Sequence, residues 1–197
     1  MQKPAPLEYG QYYHIYNRGI ARAPIFLEER NYRYFLQLYA RHVGPVARTF
    51  AYCLLPNHFH FLVQIKDLTG LEDLSGLKAP SQRFSNLFNA YAKAFNRAYD
   101  RTGALFQRPF GRIAVTSDAY FTALALYIHH NPQRHGLTDD FRTWPFSSYS
   151  ALVSPKETQL DRDQVLAWFD GAGSFMLAHT RQPDEARIQP LIAEDFV

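Results

Sequence analysis

The chain has 197 residues, 47% of them hydrophobic, with 13 Tyr and 16 Phe, which excludes disorder and suits one packed domain with an appendage. Cys53 is the only cysteine, so neither an intramolecular disulfide nor paired-cysteine zinc spacing is available, and a reducing cytoplasmic setting is expected. The net charge of +3 hides a split: residues 1–138 carry 16 Lys+Arg against 8 Asp+Glu, and residues 139–197 carry 5 against 10, a basic body for a polyanion and an acidic tail.

Tyr12 to Asn17 reads as a first strand, ending at Arg18-Gly19. Glu28 to His42 reads as a helix whose apolar stripe is Tyr32, Phe35, Leu36, Tyr39 and Val43. Ala47 to Leu55 and His58 to Ile65 are two strands joined tightly at Pro56-Asn57. Residues 67–80, with Gly70, Gly76 and Pro80, read as a long loop. Gln82 to Tyr99 is a second helix, its core stripe Phe84, Phe88, Tyr91, Phe95 and Tyr99. Leu105 to Ala114 contains a fourth strand. Ser117 caps a helix that the Asn131-Pro132 pair ends at Asn131. The order βαββαβ predicts an α+β, ferredoxin-like (RRM-like) antiparallel sheet with helices on one face, followed by the added helix. Residues 1–150 form that domain, and residues 151–197 form an acidic, partly helical extension. No signal segment and no membrane span of roughly 20 apolar residues is present.

Two features carry chemistry. On a strand, His58 and His60 point the same way, about 7 Å apart, while Phe59, Phe61, Val63 and Ile65 take the other face. Two imidazoles on one face make half of a divalent-metal site, or else a pair of hydrogen-bonded core histidines. Later in the chain, Tyr127 and Asn131 share a helix face at about 6 Å. Asn131 is one candidate third ligand, and His130, three residues from Tyr127, is its rival.

The runs "PNHFHFLV", "LFQRPFGRI" and "YIHHNP", with the opening "YYHIYNRG" and the stretch "NAYAKAFNRAYDRTGALFQRPF", resemble the single-tyrosine HUH transposases, and within them the REP-associated tyrosine transposases. The similarity covers roughly residues 10 to 150, and "WPFSSY" extends it. The resemblance implies His58 and His60 as metal ligands, Tyr127 as nucleophile and Asn131 as third ligand in place of the more usual glutamine. It further implies single-stranded DNA carrying REP-like hairpins as substrate and a 5′-phosphotyrosine intermediate. Mg²⁺ or Mn²⁺ suits such an oxygen-rich site, although two imidazoles also accept Zn²⁺. The chain is expected to be a monomer or a homodimer. An insertion-sequence transposase, a catalytically silent hairpin-binding protein and a phosphoesterase using water are the alternatives.

Lys93, Arg97 and Arg101 lie four apart on the second helix, with Arg108 and Arg112 close behind. They are candidates for DNA backbone contacts, as are Arg18, Arg22 and Arg134, and such contacts carry affinity without sequence preference. The tail from Pro183 to Val197 is acidic and is expected to cover this basic surface.

Overall fold

Strand alternation organises the molecule, because one strand feeds two different layers. In the computed structural model, which describes residues 6–67 and 79–184 with 186, 188 and 189, the strands are β1 (Tyr12–Arg18), β2 (Ala47–Leu55), β3 (His58–Ile65) and β4 (Gly111–Val115). They form one antiparallel sheet in the order β2-β3-β1-β4. Helices α1 (Glu29–His42) and α2 (Pro80–Ala98) complete the ferredoxin-like βαββαβ unit, and α3 (Asp118–Arg134) follows. The fourth strand occupies only the end of the expected segment. Before it, Phe106 makes a single bridge to Gly19 and the chain otherwise loops. Most of the loop expected at 67–80, and most of the tail expected to cover the basic surface, lie outside the described residues.

Helix α1 begins at Glu29 because the Asn31 Oδ1 accepts the Leu27 and Glu28 N–H groups at 2.9 and 3.1 Å, satisfying donors that the first turn cannot. Pro80 opens α2, where its fixed φ suits a first helical position and its missing N–H costs nothing. Both helices lie on the face carrying Phe59, Phe61, Val63 and Ile65, which are buried with Phe35, Tyr39, Phe84, Phe88 and Tyr91 in one core. Tyr39 stacks on Phe61 at 4.3 Å and Phe35 tilts against Phe59 at 5.0 Å.

The opposite face is covered as completely. Helix α3 packs Leu124, Tyr127 and Ile128 on Phe50, Cys53, Leu55 and Leu62. Beyond it, short helices α4 (Tyr149–Val153), α5 (Arg162–Trp168) and α6 (Ala172–Ala178) deliver Leu152, Val165, Phe169 and Phe175 to the same core. Residues 162–178 therefore join α3 in one core against the sheet, and Tyr12 packs among Phe50, Phe121 and Trp168. The segment 144–148 lies along the β2 edge: Leu54 N–H donates to the Phe146 carbonyl, and Ser148 N–H to that of Tyr52, each at 2.9 Å. Pairing of this kind hides an edge that could otherwise recruit another strand. Arg48 on β2 adds an ion pair with Asp161.

Helix α3 corrects one expectation, since it continues through Pro132 to Arg134. Pro132 cannot donate to the Ile128 carbonyl, yet the last turn is held on both sides of that gap. The His135 N–H bonds the Asn131 carbonyl at 3.0 Å, the Leu137 N–H bonds that of Pro132 at 2.9 Å, and the Asn131 side chain bonds the Tyr127 carbonyl. Local bonds thus offset the pre-proline penalty.

Candidate functional site

The antiparallel register sets Arg18 opposite His58 and Tyr16 opposite His60, so the ends of β1 and β3 present these four side chains toward α3. The His58 and His60 rings lie 5.1 Å apart between centroids, edge to face, and both are buried. His58 Nδ1 is 2.6 Å from the Asn57 Oδ1, whose own amide nitrogen donates to the Arg22 carbonyl at 3.3 Å. Nδ1 of His60 is 3.0 Å from Nε2 of His14, a residue with no solvent exposure. Burial first, then the positive surroundings of His14, His135, Arg18 and Arg134, holds the His60 imidazole far below its ordinary range. It is neutral, as a ligand imidazole has to be.

Helix α3 brings Tyr127 to this pair. The Tyr127 ring stands edge-on to that of His60, with 5.7 Å between centroids, and is buried. The Arg134 guanidinium lies over the Tyr127 ring, 4.9 Å from its centroid, a cation–π contact. Arg134, expected at the DNA backbone, therefore sits on the candidate nucleophile. His135, one residue on, meets His58 at 4.9 Å between rings.

Asn131 is wholly buried one turn after Tyr127, and its Nδ2 donates to the Tyr127 carbonyl at 3.0 Å. That bond fixes the amide, since the flipped form would set two oxygens against each other. Its Oδ1 is left buried with no hydrogen-bond partner among the described residues. Leaving such an acceptor unsatisfied costs about 1–3 kcal/mol, so it is an atom of ligand type. No group of three or more His, Cys, Asp or Glu that could hold a metal occurs among the described residues.

His130 points elsewhere. Its Nε2 lies 3.2 Å from the His179 carbonyl and its ring is 4.0 Å from that of Phe141, within the C-terminal layer. His129 joins the same layer: its Nδ1 is 2.8 Å from His179 Nε2 and its Nε2 is 2.8 Å from the Ser148 Oγ. His179 Nδ1 bonds the Phe175 carbonyl at 2.7 Å. Both ring nitrogens of both residues are satisfied, which marks a structural network. Cys53, opposite His60 across the sheet, is buried, and burial pushes its thiol well up, so it stays protonated.

The basic candidates separate. Lys93, Arg108 and Arg112 line one cavity of about 460 Å³ between α2 and the segment 103–112, floored by Phe88, Phe106 and Phe110 and free of carboxylates. Arg112 stacks its guanidinium on Phe110 at 4.0 Å, and Arg108 approaches Asn89 at 3.4 Å. Arg101 bonds Asn96, a lining residue of that cavity, at 2.9 Å, while Arg97 and Arg22 are exposed and do not line it. Arg18 is half-buried at the histidine end of the sheet.

Sequence reasoning missed His14 and Gly111. The signal available was alternation: Tyr12, His14, Tyr16 and Arg18 share one face of β1, and only the register shows that this face is the one carrying His60. Tyr16 lies flat across Gly111 on β4, and a Cβ at that glycine would collide with the ring. The glycine of "PFGRI" is thus a seat for an aromatic beside the histidines.

No family model matches the chain. A protein of Haemophilus influenzae described as "Putative REP-associated tyrosine transposase" is 30% identical over 105 residues, 51% of this chain and 58% of that protein, so the match spans well under two thirds of the relative's length. A solved structure of a REP-associated tyrosine transposase bound to a REP hairpin covers 79% of this chain and 86% of its own, with a TM-score of 0.61 at 18% identity. That likeness shows a shared fold. A transposase-like structure from Deinococcus radiodurans, at TM-score 0.39 and 16% identity, is too distant to bear on the fold. No helix among the described residues is long and apolar enough to cross a membrane.

Proposed function

We propose that this chain, which resembles the REP-associated tyrosine transposases in sequence and in fold, is a metal-dependent endonuclease and strand transferase acting on single-stranded DNA beside REP-like hairpins. The observation that carries the reading is the meeting of Tyr127 with His60, 5.7 Å apart between rings, one turn from the buried, unbonded Asn131 Oδ1. His58, His60 and Asn131 are the residues that would hold the divalent cation, Mg²⁺ or Mn²⁺. When bound, such an ion supplies Lewis-acid polarisation of a phosphate oxygen.

The chain's own residues do the rest. The Tyr127 Oη attacks the scissile phosphorus, its phenol proton passing to solvent. The bond from phosphorus to O3′ breaks, and the departing oxygen takes up a proton as a 3′-hydroxyl. The 5′-phosphate remains esterified to Tyr127, so a second 3′-hydroxyl can reverse the step and join strands without ATP. Arg134 holds the Tyr127 ring from its face, and a cation there favours the developing phenolate. Lys93, Arg108 and Arg112, gathered in a cavity without carboxylates, suit the phosphates of an approaching strand.

The test is incubation of the protein with labelled single-stranded hairpin oligonucleotides and Mn²⁺. The expected result is a denaturation-resistant protein–DNA adduct, lost on chelation and lost in Tyr127→Phe. Cleavage that survives Tyr127→Phe would instead identify water as the nucleophile, and binding without any adduct would identify a silent hairpin binder.

A further inference from the structure

We infer that His14 and Asn57 are positioning residues that set the tautomers of His60 and His58, so that both histidines offer Nε2 to one cation. The inference rests on the metal reading proposed above, which selects the His60 tautomer, while the His58 tautomer stands on geometry alone.

An imidazole coordinates through a nitrogen with a free lone pair, so the proton has to reside on the other nitrogen, and what that other nitrogen bonds decides the matter. For His58 the partner is the Asn57 Oδ1 at 2.6 Å. An amide oxygen only accepts, and the orientation of this amide is fixed by its nitrogen donating to the Arg22 carbonyl. Nδ1 of His58 therefore carries the proton and Nε2 the lone pair. For His60 the partner is ambivalent, since the His14 Nε2, 3.0 Å from Nδ1, can donate or accept. If His14 donated, His60 would have its proton on Nε2 and no lone pair for a cation. The two histidines serve one ion only if His14 accepts, with its own proton on Nδ1. His14 is suited to hold that role, being fully buried and stacked on His60 with 5.2 Å between centroids. The Tyr16 ring, 4.9 Å from that of His14, braces it, and Tyr16 in turn lies over Gly111. The adjacent Asn57 amide thus fixes the His58 tautomer, and an accepting His14 on the neighbouring strand gives His60 the same one.

The test reads tautomers directly, by long-range proton–nitrogen NMR of ¹⁵N-histidine-labelled protein without metal, together with Mn²⁺ affinity. In the native chain, His58 and His60 are expected with the proton on Nδ1. His14→Phe keeps the ring packing but removes the acceptor. It is expected to release the His60 proton to Nε2 and to weaken Mn²⁺ binding by about 10–100-fold, the usual effect of losing an outer-shell partner. His14→Gln, whose side-chain oxygen can accept, is expected to recover most of both. Asn57→Leu is expected to release the His58 tautomer alone. A native His60 protonated on Nε2, or a His14→Phe protein with unchanged tautomer and unchanged Mn²⁺ affinity, overturns the inference. If His14→Phe does not fold, the native spectrum and His14→Gln still decide. Native tautomers as expected with no Mn²⁺ binding at all would sink the metal reading and leave the tautomer assignment standing.

Discussion

The two faces of the sheet are built from the same strands and do opposite things. Beneath α1 and α2, β3 contributes Phe59, Phe61, Val63 and Ile65 to a core of stacked aromatics. One residue out of phase, the same strand contributes His58 and His60 to a face where α3 and the C-terminal helices also bury His14, His129, His130, Asn131, Ser148 and His179. Most of the buried polar residues are thus on one side, Asn17, Asn31 and Thr49 being the exceptions. Apolar burial on the first face supplies stability without direction, while the second face spends burial on groups whose hydrogen bonds must all be met. Within it, His129 and His179 have every ring nitrogen bonded, whereas the Asn131 Oδ1 does not. That difference separates a structural histidine network from the proposed ligand site more cleanly than the residue types do.

The comparison breaks most visibly at Phe61. Phe61→Ala removes a stacked ring from a full core and is expected to cost about 3–5 kcal/mol, a fall in Tm of about 10 °C by calorimetry, with adduct formation per folded molecule retained. The same loss of stability from Tyr127→Phe would mean that the second face is a core like the first.

Acid distinguishes the faces next. Burial pushes His179 down to about 4 from its ordinary 6.5 and pushes His129 well down too. The unfolded chain therefore binds protons between those values that the folded chain refuses. Stability should be flat above pH 7 and fall as pH drops from about 6.5 toward 4, by about 3 kcal/mol from His179 alone. Denaturant titrations across that range check it, and His179→Phe should give a shallower fall. An identical acid profile in that variant would remove His179 from the account.

Gly111→Ala sharpens the boundary between the faces at the sheet edge. The added methyl displaces the Tyr16 ring, with an expected cost of about 1–3 kcal/mol and weakened Mn²⁺ binding, since Tyr16 braces His14. Smallest in stability is the joint change of Lys93, Arg108 and Arg112 to Ala, expected to leave Tm nearly unaltered. It should flatten the dependence of log affinity for single-stranded DNA on log salt by about 2, and an unchanged slope would put the DNA path elsewhere.

Much of this was legible in the sequence. The 58/60 alternation, the aromatic stripe of α2, the order of the elements and the shared face of Tyr127 and Asn131 are local periodicities of 2 and 3.6 residues. The continuation of α3 past the expected stop at Asn131 was not legible, because bonds on either side of the Pro132 gap offset a local rule. Nor was the fate of His130, which depends on where α6 lies.

What the chain determined alone is what neighbouring residues decide: which side chains alternate, where helices begin, and that two imidazoles share one direction. Only the tertiary structure decided what those imidazoles face. Cross-strand register brought His14 to His60, layer packing brought Tyr127 edge-on to the same ring, and docking of the C-terminal helices claimed His129 and His130. The reason is physical: pairing register and layer contacts join residues 46 to 67 positions apart in the first two cases, where no short-range propensity reaches.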